Sequence, residues 1–416
     1  MSNHRSSALY GRTVALLHPA WHSCGTYSVI VGQIAAYRAL GARVLPIAVG
    51  ADPGFVPGRK WIWRDFLAAT PELDAGERYC AGAPFSAVLG PVFLRDVLWP
   101  YVHGDQAVIR TGLISRAKLP PELETQAFDL IHCNHFFLMP LAKRLSRGAT
   151  PILLDSHDLQ ARQFVLMNER IPWLKPRATY EQMLAQELEE MRGADLLLHL
   201  NAEEEAEFSA LLPEKEHTLL YPPVPEAPTG PGGPDIVLIA SNNTANVESV
   251  VWFLREVAPK AREKAPGVRV KIAGNVESGV RARAPEIYDA YKDWFLGRVE
   301  DLGAVYANAR LALLPTIDGH GLSIKSVEAM ASGLPLVATT HALRGMRADA
   351  RALDGVTIAD GAEAFAAALT RAAGGGAIPS ETERRASAPR RYYDAHFSLA
   401  AYERSLAALA ERLLRV

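Results

Sequence analysis

A short stretch near the middle of the chain rules out more folds than any other part of it. Tyr221-Pro222-Pro223-Val224-Pro225, followed by Pro228 and the run Gly230 to Pro234, cannot lie inside a helix or a central strand. Proline fixes φ and has no amide donor, and glycine carries the largest entropic cost of ordering. Residues 221–234 therefore read as a hinge. On both sides of it, short β-branched runs alternate with longer amphipathic ones. Before the hinge the candidate strands are Thr13–Leu17, Arg43–Val49, Leu130–Cys133, Pro151–Asp155 and Asp195–Leu200, with helical patterns at Val29–Leu40, Phe137–Ser146 and Tyr180–Met191. After it come strand Asp235–Ala240, helix Val247–Lys264, strands Val268–Ala273 and Trp294–Leu296, helix Asp301–Asn308, strand Leu311–Pro315, helix Leu322–Ala331 and strand Pro335–Thr339. Strands separated by helix-length segments are βαβ units, so two parallel sheets covered on both faces are expected. The implied domains are 1–220 and 235–397, with an amphipathic helix at 398–416 expected to pack back across the hinge.

Composition narrows the function classes. Of 416 residues, 49% are apolar and 22% charged, the mix of an ordered globular protein. The net charge of −2 disfavours a general nucleic-acid binder. Cys24, Cys80 and Cys133 are scattered, without any C-x-x-C, which excludes a disulfide framework and a cysteine-based zinc site and suits a reducing cytoplasm. No apolar stretch approaches the length of a membrane span, and the N-terminal apolar run is too short for a signal peptide.

The densest chemical signal runs from Leu313 to Thr340. A strand ends, the loop Thr316-Ile317-Asp318-Gly319-His320-Gly321 turns, a helix opens near Leu322, and Gly333-Leu334-Pro335 stops it before the next strand. Gly319 and Gly321 permit close backbone approach at the helix entrance, where free amides and the positive dipole end suit a diphosphate. Lys325 adds a full charge in the first turn. Glu328, three residues on, shares its face and can accept two hydrogen bonds from a ribose diol. A solvated Lys325–Glu328 pair after an ordinary turn is the bland alternative.

The string GxGLxIKxxEAMASGLPLVAT over 319–339 resembles the nucleotide-sugar signature of retaining glycosyltransferases with the GT-B fold, glycosyltransferase family four and its relatives (glycosyl transferases group 1). Gly297-Arg298-Val299-Glu300-Asp301-Leu302 with Tyr306, Val251-Trp252-Phe253-Leu254, Ile272-Ala273-Gly274-Asn275, Asp155-Ser156-His157-Asp158 and the Tyr221-Pro222-Pro223 hinge resemble further family segments. The resemblance implies an α/β architecture of two Rossmann-like domains facing across a cleft, the N-terminal one binding an acceptor and the C-terminal one a nucleotide sugar. It also implies sugar transfer to an acceptor hydroxyl with retention, in bacterial polysaccharide or glycoconjugate assembly. Glu328 matches the acid that holds the donor ribose. Lys325, Gly319, Gly321 and Leu322 match the diphosphate loop and helix start, and Val299 the base-contacting segment. Two departures stand out. His320 occupies the place of a second family acid, and the loop after the first C-domain strand, Ser241-Asn242-Asn243-Thr244-Ala245-Asn246, lacks the family's Arg and Lys. Lys325 is expected to replace that pair, with Asn242, Asn243 and the loop's serine donating hydrogen bonds to the phosphates.

In the N-terminal half, His135 follows a strand end and is expected in the cleft beside the reacting sugar carbon, with packing against Phe136 and Phe137 as the alternative. Asp155 and Asp158 close the next strand. Either carboxylate is a candidate to orient the acceptor hydroxyl, Asp158 alternatively capping a helix. Gly25 marks a loop over donor and acceptor. His18-x-x-x-His22 is not expected to bind a metal, since Pro19 breaks the helix such spacing needs, and with no Asp-x-Asp pair no metal cofactor is expected at the diphosphate either. Trp61, Trp63, Phe66, Phe93, Trp99 and Tyr101 form an aromatic region that is core, an acceptor site or a membrane-facing patch. The expected partners are the donor and a sugar or glycolipid acceptor, with peripheral contact at the inner membrane face. Two other functions stay open: a non-catalytic nucleotide-sugar-binding protein of the same fold, and a nucleotide-sugar epimerase-like enzyme, which needs paired carboxylates.

Overall fold

The computed structural model describes residues 7–22, 25–50, 60–83, 90–103, 108–170, 179–375 and 377–414. It divides into two compact units, Met1–Pro223 with Tyr402–Val416, and Val224–Ala401.

The first unit holds a seven-stranded parallel sheet: β1 (Thr13–Pro19), β2 (Arg43–Val49), β3 (Tyr79–Ala81), β4 (Leu130–Asn134), β5 (Ile152–Asp155), β6 (Leu196–His199) and β7 (His217–Leu219). They lie in the order β3-β2-β1-β4-β5-β6-β7. β1, β4, β5 and β6 are apolar almost throughout because helices cover both faces. One face packs Ala15, Leu17, Ile131, Cys133 and Leu154 against Phe137, Leu141 and Met191. The other packs Val14, Leu16, Leu130 and Leu153 against Ile30, Ile34 and Tyr37. Tyr402, Leu406 and Leu409, from the C-terminal helix Leu399–Leu414, fill this second face.

The second unit holds a six-stranded parallel sheet: β8 (Asp235–Ile239), β9 (Lys271–Ala273), β10 (Phe295–Gly297), β11 (Ala309–Leu314), β12 (Leu336–Ala338) and β13 (Val356–Ile358), in the order β10-β9-β8-β11-β12-β13. Its core joins Ile236, Leu238, Ile272, Leu311, Leu313 and Val337 to Phe253, Leu254 and Phe365.

In each sheet the strand order reverses once, between β1 and β4 and between β8 and β11. Ligands of open parallel sheets sit at the carboxyl ends beside such a reversal.

The proline-rich stretch is not a loose tether where it meets the second unit. Val224, Ala227 and Thr229 are buried, the Val224 amide donates to the Phe397 carbonyl, and the Tyr393 hydroxyl donates to the Val224 carbonyl. Proline suits such an extended strap because it leaves no amide to satisfy. The pattern at 247–264, read as one helix, is three pieces: Thr244–Trp252, a π-turn at Phe253–Val257, and Ala258–Lys264. Pro259 cannot donate, and its ring crowds the preceding turn, so the chain takes one residue more per turn there. Pro100 follows a second π-turn, Leu94–Leu98, in the same way.

Candidate functional site

The second unit opens a cavity of about 640 Å³ at its strand-order reversal. Ile239, Ala240 and Ser241 line it from the end of β8, Thr316 from the end of β11, and Gly274 and Asn275 from the end of β9. Gly274 sits at φ +112°, and a Cβ there would fall 2.1 Å from the Ala240 carbonyl oxygen, so only glycine lets these two strand ends approach.

Opposite them lies the start of helix Ile324–Ala331, with Leu322, Ser323, Ile324, Lys325 and Glu328 facing the cavity. The helix begins two residues later than its sequence pattern suggests. Ser323 takes the capping position, but its hydroxyl pairs with Ser326 Oγ at 2.9 Å and caps no amide. The leading amides thus keep the donor capacity of an uncapped helix start. Burial presses on both titratable groups here. It lowers Lys325 to about 8, with Arg344 adding to the fall and Glu328 opposing it. It raises Glu328 above the usual carboxylate range, against the pull of Lys325.

Arg298, Val299 and Leu302 close one side of the cavity and Arg344 another. Three cations and one carboxylate therefore line a single cavity, a charge balance suited to a ligand carrying about two negative charges. Arg344 was not legible as a site residue. It lies beyond β12, sixteen positions after Glu328, and only the fold brings it to Lys325.

The remaining second-unit candidates divide. Asn243 and Asn246 line the cavity, but Asn243 Oδ1 accepts the Asn246 amide at 2.9 Å and caps helix Thr244–Trp252. Asn246 Nδ2 donates to Ser241. Asn242 is not among the lining residues, and its side chain donates to Ser278 Oγ at 3.1 Å. The loop's asparagine side chains are thus committed to the loop itself and to Ser278. Gly319, His320 and Gly321 do not line the cavity either. Gly319 and Gly321 hold φ of +124° and +66°, and His320 is exposed. The Gly319 carbonyl accepts from His341 Nε2 at 3.1 Å, which ties this loop to the turn after β12.

In the first unit, the ends of β1, β4 and β5 carry a compact histidine cluster. His135 and His157 both adopt left-handed backbone, φ 72° and 60°, which costs energy in a non-glycine residue and marks a position held by its surroundings. Their rings stack at 4.2 Å, and His135 also stacks on Phe137 at 5.0 Å and meets Trp21 edge-on at 5.2 Å. His135 is buried, with Nε2 3.4 Å from Thr26 Oγ1. His157 Nε2 donates to Asn134 Oδ1 at 2.7 Å, and burial lowers its pKa to about 3. Gly25 opens helix Gly25–Ala39 beside this cluster, while Ser23 and Cys24 lie outside the described residues.

Asp158 does not cap helix Gln160–Arg170. Glu187 does, accepting the amides of Gln160 at 3.1 Å and Ala161 at 2.9 Å, while Glu204 accepts that of Leu159. Burial raises Asp158 to about 6, and Glu187 and Glu204 to about 8. Asp155 is buried, accepts from Gln33 Nε2 at 3.0 Å and is raised to about 7.

The aromatic region splits. Phe66 and Phe93 are buried and Trp63 packs edge-on against Phe66, whereas Trp99 is 67% exposed. The Trp61 side chain lies outside the described residues.

Residues 233–374 match the family model described as glycosyl transferases group 1. A curated relative, an uncharacterized 44.6 kDa protein in the cps region of Klebsiella pneumoniae, is 24% identical over 105 residues, 24% of this chain and 27% of that protein. This chain thus spans about a quarter of that relative's length. Among solved structures, Anabaena Alr3699/HepE in complex with UDP and glucose matches at TM-score 0.56 and 13% identity, over 96% of this chain and 99% of that one. The E. coli trehalose-6-phosphate structure bound with UDP-2-fluoro glucose matches at 0.59 and 14%, over 97% and 99%. The trehalose 6-phosphate synthase of Burkholderia multivorans matches at 0.58 and 15%, over 98% and 97%. The fold is that of the GT-B glycosyltransferases.

Proposed function

We propose, from the premise that residues 233–374 belong to the glycosyl transferases group 1 family, that this chain transfers a sugar from a nucleoside diphosphate sugar to an acceptor hydroxyl. The observation that carries this is the second unit's cavity, where the start of helix Ile324–Ala331, Lys325, Arg344 and Glu328 converge at the strand-order reversal. The UDP and UDP-sugar complexes of HepE and the E. coli structure support the donor class.

The bond between the sugar's anomeric carbon and the diphosphate oxygen breaks as the acceptor oxygen bonds to that carbon. Negative charge builds on the departing diphosphate. Fixed cations and helix-start amides in a partly dry cavity stabilise it more than water would. Glu328 holds the ribose hydroxyls. Cationic side chains do this neutralisation without a divalent metal, so chelation by EDTA leaves donor binding unchanged.

The acceptor side falls to the first unit. Asp158, at about 6 through burial, suits a group that takes the hydroxyl's proton near neutral pH. His135, its ring buried against Phe137 and His157, is assigned a role on this side from the family resemblance. Retention of configuration and a role in polysaccharide or glycoconjugate assembly follow from the family resemblance, and the relative in the cps region is in keeping with that role. Incubation with UDP-glucose and candidate sugar acceptors, read by UDP release and by the anomeric proton coupling of the product, tests the reading. Release without a glycosylated product would refute transfer, and an inverted product would refute retention.

A peripheral membrane contact is proposed at the helical run 91–102. Val92, Leu94, Leu98, Trp99 and Val102 all expose apolar side chains there, while Phe93 and Val97 anchor the run in the core. Twelve residues make a strip about 18 Å long and 10 Å wide. Its area, on the order of 200 Å², is far below the ~800 Å² per partner of a stable dimer, but sufficient to sit in a lipid headgroup layer. Among the described residues no helix is long and apolar enough to cross a membrane.

A further inference from the structure

Gly319 and Arg344 fit one another. The glycine holds φ +124°, and a Cβ built on it would fall 2.8 Å from Arg344 Nη2 and 3.2 Å from its Cζ. The guanidinium therefore lies in the space that the missing side chain leaves. Two hydrogen bonds fix the arrangement: His341 Nε2 donates to the Gly319 carbonyl at 3.1 Å, and Arg344 Nη1 donates to the His341 carbonyl at 3.3 Å. The turn after β12 and the glycine loop after β11 are thereby latched together, with Arg344 between them facing the cavity.

From here Arg344 shares the cavity with Lys325. The two like charges act on each other, since Arg344 disfavours the protonated form of Lys325. Glu328 offsets part of this repulsion, but three cations against one carboxylate leave Arg344 and Lys325 in an excess of positive charge. An anion placed between them relieves it. The loop 241–246, which also lines the cavity, carries no charge, and its asparagines are spent on capping, on Ser241 and on Ser278.

We propose that Arg344 and Lys325 form a two-cation clamp for the donor's diphosphate, and that residue 319 is glycine so that the guanidinium can reach it. This rests on the donor reading above and adds to it a second phosphate-binding residue, supplied by the turn after β12. A guanidinium fork binds two phosphate oxygens at once, whereas the Lys325 ammonium acts as a point charge. The clamp thus favours donors with two linked phosphates over those with one.

The test is calorimetric titration of the full chain with UDP, GDP, ADP, dTDP, UMP, uridine and inorganic pyrophosphate, on the wild type and on Arg344→Ala, Arg344→Lys, Gly319→Ala and Gly319→Ala/Arg344→Ala. Loss of a charge-assisted bidentate contact should weaken UDP and pyrophosphate by roughly 10- to 100-fold and uridine by less than twofold. Arg344→Lys should recover part of the loss. Gly319→Ala, which keeps both cations but displaces the guanidinium, should weaken UDP in the same selective way, and the double variant Gly319→Ala/Arg344→Ala should be no worse than Arg344→Ala alone. Unchanged UDP affinity in Arg344→Ala would overturn the clamp and leave the donor reading standing. So would a loss for uridine as large as that for UDP. Wild-type binding of pyrophosphate through Arg344, with no binding of UDP or of GDP, ADP and dTDP, would leave the clamp and sink the donor reading. No binding of any of these probes would sink both.

Discussion

Burial and Arg344 hold Lys325 at about 8, so donor affinity should change over an accessible pH range. At pH 7 about nine-tenths of the molecules carry the ammonium, and at pH 9 about one-tenth. A phosphate's last ionisation, near 6, is already about nine-tenths complete at pH 7 and so adds little change across this window. If the clamp needs the charged form, UDP affinity falls about tenfold from pH 7 to pH 9, equivalent to ~1.4 kcal/mol. The sign is fixed by the direction of the shift: a lowered lysine loses its proton within the window, and a bound diphosphate draws that proton back. Binding at pH 8 should therefore take up about half a proton, read as a dependence of the calorimetric enthalpy on the ionisation enthalpy of the buffer. Lys325→Arg, which stays charged throughout, should bind UDP with equal strength at pH 7 and pH 9. Lys325→Ala should bind weakly and without pH dependence, and uridine should be indifferent in every variant. A wild type whose UDP affinity is level from pH 7 to pH 9, with no proton uptake, would refute a direct role for the Lys325 charge.

Glu328→Ala should weaken UDP and uridine alike, by roughly 10- to 100-fold, because both carry the ribose; equal affinities before and after would remove Glu328 from the site. Glu187 and Glu204 sit near 8 when folded and near 4.5 when unfolded, so the folded state holds more protons between those values and loses stability as pH rises through them, by about 1.4 kcal/mol per pH unit for each group that titrates. Urea melts at pH 7, 7.5 and 8, above the range in which protonation of the unfolded chain's counterparts of buried His132, His157 and His199 most affects stability, should show that decline, and Glu187→Gln/Glu204→Gln should flatten it; a wild type more stable at pH 8 than at pH 7 would be the opposite result. His135→Ala should depress sugar transfer while UDP affinity holds, whereas full transfer activity would make its stacking on Phe137 and His157 purely structural. Vesicles of phosphatidylethanolamine and phosphatidylglycerol should co-sediment the wild type but not Leu98→Ser/Trp99→Ser, and a wild type left in the supernatant would refute the membrane contact.

How far the sequence could be read follows from which interactions are local. Strands buried on both faces, such as Arg43–Val49, are nearly continuous apolar runs, and that pattern needs no tertiary knowledge. Tyr79–Ala81, His217–Leu219 and Val356–Ile358 are three residues each and lie at or near sheet edges. Their conformation comes from pairing with a neighbour, which no local pattern encodes. Lys325 and Glu328 were legible because both sit on one helix turn after a glycine loop. Arg344 was not, because a strand and a turn separate it from them. Glu187 and Glu204 look like surface acids of amphipathic helices, yet the start of a third helix takes them in as caps. Asn242 and Asn243 illustrate the converse. Their polarity suggests phosphate ligands, while in the structure Asn243 caps helix Thr244–Trp252 and Asn242 donates to Ser278, bonds that no local pattern announces.

The most direct test is calorimetric titration of the wild type and Glu328→Ala with UDP, GDP, ADP, dTDP and CMP, with and without magnesium. One nucleoside diphosphate should bind the wild type, equally with or without the metal, and much more weakly to Glu328→Ala. At a hundredfold excess over its dissociation constant it should stabilise the fold by about 2.7 kcal/mol. Absence of binding by all five, or binding that ignores the loss of Glu328, would contradict a donor site in this cavity.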